Sequence, residues 1–218
     1  MDTGSTGDGS ETDRLLRQAA EGDQGILGVL LQQHNARLRR MVALRLDPRL
    51  QGRIAPSDVI QETYLEVAAR LAEYLREPAM PFFLWLRFLA GQKLVTLHRK
   101  HLGTRMRDAG REVSLYRGRL PETSSAALAA QLLGHEARPS EAVARAELKI
   151  RLQEALNGMD PLDREVLALR HFEQLSWAET AQTMGTTEGA ASKRYVRALK
   201  RLRTILSALP GGLQEMQP

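Results

Sequence analysis

The sequence predicts an all-α protein that consists of two small helical domains joined by a flexible linker. Apolar side chains recur at three- and four-residue steps along most of the chain, and the alternation typical of strands is not seen. This periodicity decays between Leu102 and Pro139, where Gly, Ser, Pro and Ala mix with charges. A length of 218 residues suits two helical modules and a linker. The hydrophobic content of 43% excludes global disorder.

The first domain is expected at residues 12–102, after a disordered tail at residues 1–11 that is rich in Gly, Ser and Thr. Ser57 and Pro81 are predicted to start its third and fourth helices, since both residues are common at helix N-termini. Its four helices are predicted at about residues 12–20, 25–46, 57–75 and 81–101.

The second domain is expected at residues 140–209, after a linker at residues 103–139 in which a nascent Ala-rich helix is an alternative. Pro161 is predicted to start a helix, Ser176 to cap the next, and Gly185 to form the turn before the last. The helices are predicted at about residues 140–157, 161–172, 176–184 and 188–208, before a flexible tail at residues 210–218.

Composition excludes several functional classes. The chain has no cysteine, so disulfide scaffolds, thiolate zinc sites and cysteine nucleophiles are absent. The polar start is unlike a signal peptide and no apolar run is long enough to span a membrane, so we expect a cytoplasmic protein. His98 and His101 have a spacing that suits metal ligation, but no third ligand is evident. We therefore expect no metal, no cofactor and no enzymatic activity.

The last two helices match a helix-turn-helix pattern, in which the second helix enters the major groove of DNA. The predicted buried positions of that second helix are Ala191, Tyr195, Leu199, Leu202 and Leu206. Cations are concentrated on its other side, and its N-terminal part is the part that reaches base edges. The predicted DNA-contacting residues are Thr187, Ser192, Lys193, Arg194, Arg197, Lys200 and Arg201. An ordinary helical hairpin with a basic solvated face is the alternative.

Aromatic residues are concentrated in the first domain, where six of the chain's ten lie between Tyr64 and Phe88. The helix from Pro81 is apolar on more than one face, and its C-terminal part is basic. Rings that stack on unpaired bases beside cations that follow the backbone are typical of single-stranded DNA binding. A hydrophobic helix that is buried all round remains the alternative.

The helix predicted to start at Ser57 has an acidic face. Its predicted buried residues are Ile60, Tyr64, Val67, Leu71 and Leu75. The residues left toward solvent are Asp58, Gln61, Glu62, Leu65 and Glu66. This face is predicted either to bind a partner or to be an ordinary solvated surface.

Three stretches of the sequence resemble bacterial RNA polymerase sigma factors. LDREVLALRHFEQLSWAETAQTMGTTEGAASKRYVRALKRL resembles region 4, which reads the minus-35 promoter element in that family. PSDVIQETYLEVAARL and FFLWLRFLAGQKLVTLHRKH resemble region 2. This order without a region 3 domain is similar to the extracytoplasmic-function group, and AASKRYVRAL resembles members from Planctomycetes.

The resemblance implies a role for each of these surfaces. The acidic face, from Asp58 to Glu66, would bind the beta-prime clamp helices of core RNA polymerase. The aromatic helix and the preceding REPAMP loop would bind the minus-10 element, trapping bases that flip out as promoter DNA melts. The residues implied there are Arg76, Phe82, Trp85, Arg87, Lys93, His98, Arg99 and Lys100. Gln92 and Thr96 depart from the family's asparagine and aspartate.

The residues just before the acidic face are less acidic than the resemblance implies, which bears on regulation. Ala55, Pro56 and Ser57 replace acids that precede this face in similar sigma factors. We therefore expect a Ser/Thr kinase as a regulatory partner, instead of or alongside an anti-sigma factor. The candidate phosphorylation sites are Ser57 at the helix N-terminus and Thr63, which is expected near the same solvent-exposed face. A simple N-cap role for Ser57 is the alternative. The competing functional class is an autonomous helix-turn-helix regulator that binds operators without polymerase.

Overall fold

The computed structural model describes residues 5–21, 24–50, 52–102, 123–132 and 142–207. All regular structure within these ranges is helical, which confirms the predicted all-α class. The chain divides into two compact units, Met1–Pro121 and Glu122–Pro218.

Within the described residues, the first unit contains four long helices. They are α1 (Ser5–Ala20), α2 (Gln24–Arg45), α3 (Pro56–Arg76) and α4 (Phe82–Leu102), with a 3-10 turn at Pro48–Leu50. Helices α2, α3 and α4 pack on one another, and α1 packs on α2 and α3. Apolar side chains meet at these contacts: Leu38, Val67 and Leu86 are fully buried, one on each of the three central helices, and Val67 is one of the predicted buried positions.

Helix boundaries in the first unit agree with the prediction to within one residue, except at the start of α1, and the residue predicted to start α3 also differs. Helix α1 begins at Ser5, so the predicted disordered tail is wrong for residues 5–11. Leu15, Leu16 and Ala19 are buried and anchor this helix. Helix α3 begins at Pro56 after Ala55, so the prediction that Ser57 starts it is wrong and Ser57 lies inside the first turn. The carboxylate of Asp58 accepts a hydrogen bond from the Ala55 N–H at 2.9 Å, which satisfies a free donor at the helix start.

The second unit contains five helices within the described residues. They are α5 (Ser125–Leu132), α6 (Ala142–Asn157), α7 (Pro161–Leu167), α8 (Trp177–Met184) and α9 (Glu188–Ser207). A π-helical turn at Ala168–Phe172 follows α7 directly. Helix α9 packs on α7 and α8, and Leu152, Val166 and Leu169 are fully buried.

Helix α5 lies within the segment that was predicted to be a linker. It packs on α6 with Leu128 and Ala129 buried, and the Ser124 hydroxyl accepts from the Ala127 N–H at 3.3 Å. The Thr123 hydroxyl donates to the Glu165 carboxylate at 2.7 Å. Residues 123–132 therefore belong to the second unit, and the Ala-rich helix is present. The rest of the predicted linker and the tail at residues 210–218 lie outside the described residues.

Candidate nucleic-acid interface

Helices α8 and α9 form a helix-turn-helix whose ends are defined by local hydrogen bonds. The Ser176 hydroxyl accepts from the Glu179 N–H at 3.1 Å, and the Glu179 carboxylate accepts from the Ser176 N–H at 2.7 Å. This capping box confirms the predicted cap at Ser176. Gly185 ends α8 with φ at 63°, a conformation that glycine adopts without steric cost. The chain turns there and α9 begins at Glu188.

One side of α9 is buried against α7 and α8. Ala191 and Leu202 are buried as predicted, whereas Tyr195 and Leu199 are half-buried. Ala198 is also fully buried, although the sequence analysis did not identify it. Its position seven residues after Ala191 was a usable signal, because two helical turns bring a residue back to the same face. The side chain of Leu206 lies outside the described residues.

The opposite side of α9 is an open cationic face, formed by Lys193, Arg197 and Lys200. All three residues are exposed, as is Thr187 just before the helix, whereas Ser192 is half-buried. Val196 is not among the predicted residues, although it is 46% exposed and lines a shallow concavity with Ser192, Lys193 and Arg197. Helical spacing from Lys193 and Lys200 would have placed Val196 on this face. The face thus combines cations for phosphates with small and apolar groups for base edges.

Arg194 does not lie on this open face, so its prediction as a member of the cationic surface is wrong. Its Nη1 atom is 2.9 Å from Asp163 Oδ1 and 3.5 Å from Asp160 Oδ1. The reason is helical position, since Arg194 lies between Ala191 and Ala198 on the side that packs against α7. Arg201 is 3.5 Å from the other Asp163 oxygen, although its side chain stays 58% exposed.

The predicted acidic face of α3 is present. Asp58, Gln61, Glu62 and Leu65 are exposed, and Leu65 at 73% is the most exposed large apolar residue among those described. Glu66 is half-buried and pairs with Lys93 at 3.1 Å. Four of the five predicted residues therefore share an accessible surface, with an apolar side chain among the polar ones.

The other face of α3 packs against the neighbouring helices of the first unit. Ile60, Val67 and Leu71 are buried as predicted, while Tyr64 and Leu75 are half-buried. The Tyr64 hydroxyl donates to the Leu31 carbonyl of α2 at 2.9 Å, and burial raises the pKa of Tyr64 to about 12. This contact orients the exposed face of α3 relative to α2.

The predicted spare aromatic face of α4 is wrong. Phe82 is 3% exposed and Trp85 is 7% exposed, so the alternative of a helix buried all round describes these turns. Trp85 stacks on Tyr74 of α3 with ring centroids 4.5 Å apart. The other first-turn aromatic, Phe83, is also buried, and Arg37 lies over its ring at 3.6 Å. Periodicity could not show this, because α4 is covered by both α2 and α3.

The cations predicted at the minus-10 site are divided by burial. Arg76, Arg99 and Lys100 are exposed. Arg87 is buried, and Lys93 is half-buried in its pair with Glu66. The structure therefore does not present Arg87, or the aromatic pair Phe82 and Trp85, at the surface.

His98 is buried and has a structural contact. Its Nε2 atom accepts a hydrogen bond from the Asp47 N–H at 3.2 Å. Burial lowers the pKa of His98, opposed by the Asp47 carboxylate and assisted by Arg49. His98 is thus not placed as predicted for contact with DNA.

The two candidate phosphorylation sites differ in access. Thr63 is fully buried and its hydroxyl donates to the Val59 carbonyl at 2.7 Å, so the prediction that it lies near the solvent face is wrong. Ser57 is half-buried, and its hydroxyl lies 3.5 Å from the Asp58 carboxylate.

The described residues hold neither a metal-binding cluster nor a membrane-spanning helix. They contain no group of three or more His, Asp or Glu side chains that could hold a metal ion. None of the described helices is long and apolar enough to span a membrane.

Comparisons with known proteins agree with the geometry of the second unit. The family model described as sigma-70, region 4 matches residues 149–202, which include α7, α8 and most of α9. The ECF RNA polymerase sigma factor SigD of Mycobacterium tuberculosis is 29% identical over 200 residues, covering 92% of this chain and 86% of SigD. RNA polymerase sigma factor NccH of Alcaligenes xylosoxydans is 27% identical over 201 residues, covering 92% of this chain and 97% of NccH.

A solved structure is also similar. CnrH, determined in complex with the cytosolic domain of CnrY, aligns with a TM-score of 0.53 and 25% identity, covering 91% of this chain and 99% of CnrH. The chain thus combines a helix-turn-helix that matches the sigma-70 region 4 model over residues 149–202 with an all-helical first unit, and it is similar to RNA polymerase sigma factors along most of its length. The matches to SigD and NccH extend through the first unit as well as the second, at 29% and 27% identity.

Proposed function

We propose that this chain directs core RNA polymerase to promoters, with α9 binding the minus-35 element and the first unit binding core polymerase and the minus-10 element. The observation that carries the proposal is the exposed cationic face of α9, formed by Lys193, Arg197 and Lys200 and presented by a capped helix-turn-helix. Cations on this face neutralise phosphates, and the N-terminal turns of the helix enter the major groove.

In this proposal, the N-terminal half of α9 contacts the base edges. Lys193 and Arg197 can donate to guanine acceptors, while Val196 offers an apolar contact for a thymine methyl group. Thr187 and Ser192 supply hydroxyl groups, which bond to base edges or to phosphates.

Core polymerase would bind the exposed face of α3. Asp58 and Glu62 give this face negative charge, Gln61 adds hydrogen-bonding groups, and Leu65 adds an exposed apolar contact. An apolar anchor among polar groups is a common arrangement at protein interfaces. In sigma factors the corresponding face binds the beta-prime clamp helices, and we propose that these helices are the site on polymerase that binds α3.

For the minus-10 element we propose a divided arrangement. Exposed Arg76, Arg99 and Lys100 would bind phosphates, and the loop at residues 77–81 would handle flipped bases. Phe82 and Trp85 would act indirectly, because their packing holds this loop and the start of α4 on α3.

The proposal also includes regulatory partners and a cellular location. The complex of CnrH with the cytosolic domain of CnrY supports an anti-sigma factor as a protein partner of this chain. A Ser/Thr kinase that acts on Ser57 is a second regulatory proposal, now without Thr63. We also propose that the protein is cytoplasmic and non-catalytic and needs no cofactor. We propose further that it belongs to the extracytoplasmic-function sigma factor family, in a Planctomycetes-like subgroup.

The direct test is run-off transcription with purified core polymerase on genomic fragments, followed by mapping of start sites. The wild-type chain should produce defined transcripts. The double variant Lys193→Glu with Arg197→Glu should lose them while still co-purifying with core. Lys149→Glu, an exposed charge reversal on α6, is the control and should transcribe normally.

The competing class of autonomous regulators makes the opposite prediction in a gel shift. A sigma factor should need core polymerase for stable, sequence-specific binding to promoter duplex. Tight specific binding by the chain alone, together with no transcript in the presence of core, would contradict our proposal.

A further inference from the structure

The first turn of α7 is a junction between three helices of the second unit. Asp160 caps α7, because its Oδ1 atom accepts from the Leu162 N–H at 2.7 Å. The buried Arg164 guanidinium donates to the Leu156 carbonyl at the end of α6 at 3.0 Å and to the Met159 carbonyl at 3.2 Å. In the sequence, Asp163 lies between the capping residue Asp160 and the buried Arg164. This turn therefore ties α6 to α7, and the Asp163 carboxylate is left to contact α9.

Asp163 uses both of its oxygens on α9. Oδ1 lies 2.9 Å from Arg194 Nη1, and Oδ2 lies 3.5 Å from Arg201 Nη1. The Asp163 side chain is 12% exposed and that of Arg194 is 29% exposed. Limited exposure reduces screening by water and salt, so this contact is stronger than a pair on an open surface. Arg194 and Arg201 are seven residues apart, so one carboxylate contacts two turns of the same helix.

The open cationic face contrasts with this pair of arginines. Lys193, Arg197 and Lys200 are exposed on the side of α9 away from α7. A cation that reaches phosphate strengthens binding to every DNA sequence, because counterion release does not depend on the bases. A cation that is held by a carboxylate makes no such contribution. The number of free arginines on α9 thus affects the balance between general and sequence-specific binding.

We propose that Asp163 is a positioning residue that holds Arg194, and more weakly Arg201, against α7, so that the phosphate contacts of α9 come from the exposed cations on its other side, among them Lys193, Arg197 and Lys200. This inference rests on the proposed function, since it assumes that α9 binds duplex DNA. Asp163 fixes the rotation of α9 about its axis and keeps two cations from phosphate. Arg194 and Arg201 are then structural residues of the helix-turn-helix.

The test is the salt dependence of binding to a short duplex of arbitrary sequence, measured by fluorescence anisotropy with the full chain. Asp163→Asn has nearly the same shape but no charge. It should steepen the slope of log K against log salt by about one for each arginine released, between about 50 and 200 mM salt. Asp163→Glu keeps the charge and should stay near the wild-type slope. Glu154→Gln, an exposed loss of one charge on α6, is the matched control and should not change the slope.

A second variant separates release of Arg194 from a general loosening of the fold. In the wild-type background Arg194→Gln should leave the slope unchanged, because this arginine makes no phosphate contact. In the Asp163→Asn background the same change should lower the slope by about one. A drop of about one in the wild-type background would overturn the inference, as would an unchanged slope in Asp163→Asn. If Lys193→Glu with Arg197→Glu leaves duplex binding intact, the proposed function itself fails, which is a distinct result.

Discussion

At the scale of single residues, Gln174 adopts a backbone conformation that suits glycine. Its φ is 56°, the only positive value for a non-glycine residue among those described. A side chain in this left-handed region costs about 1 kcal/mol through contact of Cβ with the backbone. Gln174 follows the π-helical turn and precedes the cap of α8, so it sets the chain direction into the helix-turn-helix.

We expect Gln174→Gly to stabilise the second unit by about 0.5 kcal/mol, since relief of the Cβ contact exceeds the entropy that glycine adds to the unfolded chain. Urea unfolding measures this change. Gln182→Gly, at an exposed position inside α8, is the control and should destabilise by about 1 kcal/mol. A loss of stability in Gln174→Gly similar to that of the control would contradict the expectation.

Phe82 provides a second prediction at the same scale. Its ring is buried 5.7 Å from that of Tyr74 and 5.9 Å from that of Trp85. Phe82→Ala should therefore destabilise the first unit by about 3 to 5 kcal/mol through loss of contacts and a residual cavity. Guanidinium unfolding followed by Trp85 fluorescence measures the loss, in a Trp177→Phe background because Trp177 of the second unit also emits. Leu65→Ala, at a site that is 73% exposed, should leave stability almost unchanged.

Open-complex formation distinguishes the packing role of Phe82 from direct base contact. If the ring only packs, permanganate reactivity of unpaired thymines should recover when Phe82→Ala is assayed at a temperature where its first unit is folded. Wild-type stability combined with weak permanganate reactivity would instead indicate that Phe82 binds a base.

At the scale of elements, α5 is predicted to be part of the second unit in solution. Leu128 is 1% exposed in the contact between α5 and α6. Leu128→Ala should cost about 2 to 4 kcal/mol for the α5 contact and increase amide hydrogen exchange in α5 and α6. Leu162→Ala on α7, at a position that is 50% exposed, is the control. Unchanged exchange in both helices would mean that α5 does not stabilise the unit.

Most helices could be predicted from the sequence because their signals are local. Pro161, Ser176 and Gly185 act on the backbone within one turn of their own positions, and α7 and α8 begin or end where these residues indicate. The buried alanine at position 191 and leucine at position 202 follow from spacing alone.

The errors arose where burial depends on a neighbour in space. Phe82 lies on a helix that is apolar on several faces, and only contact with α2 and α3 determines that all of them are covered. Arg194 was read as a surface cation because its carboxylate partner, Asp163, lies 31 positions earlier in the chain. Helical spacing does not identify such a pair. The same reason explains why Asp163 was missed as a residue of the site.

At the scale of the whole molecule, each unit has a histidine whose pKa is held below its ordinary value. Burial is the main cause for His98, and partial desolvation of the ring is the main cause for His171, whose side chain is otherwise exposed. In the first unit, His98 Nε2 accepts from the Asp47 N–H and joins the end of α4 to the segment after α2. In the second, His171 Nε2 lies 2.9 Å from the Tyr195 hydroxyl of α9. Arg170 lowers the pKa of His171 further.

Acidification should therefore weaken both units in the same direction. An unfolded histidine has a pKa of about 6.5, so it takes up a proton before the folded one as pH falls. The stability contributed by the neutral imidazoles is complete above about pH 6.5 and is lost as pH falls from there through the lower folded-state pKa values.

We expect urea unfolding midpoints to decrease between about pH 7.5 and pH 5. His98→Gln should flatten this decrease for the first unit, and His171→Gln should do so for the second. His101→Gln, at an exposed position on α4, is the control and should keep the wild-type profile. Equal pH profiles for wild type, His98→Gln and His171→Gln would contradict the prediction.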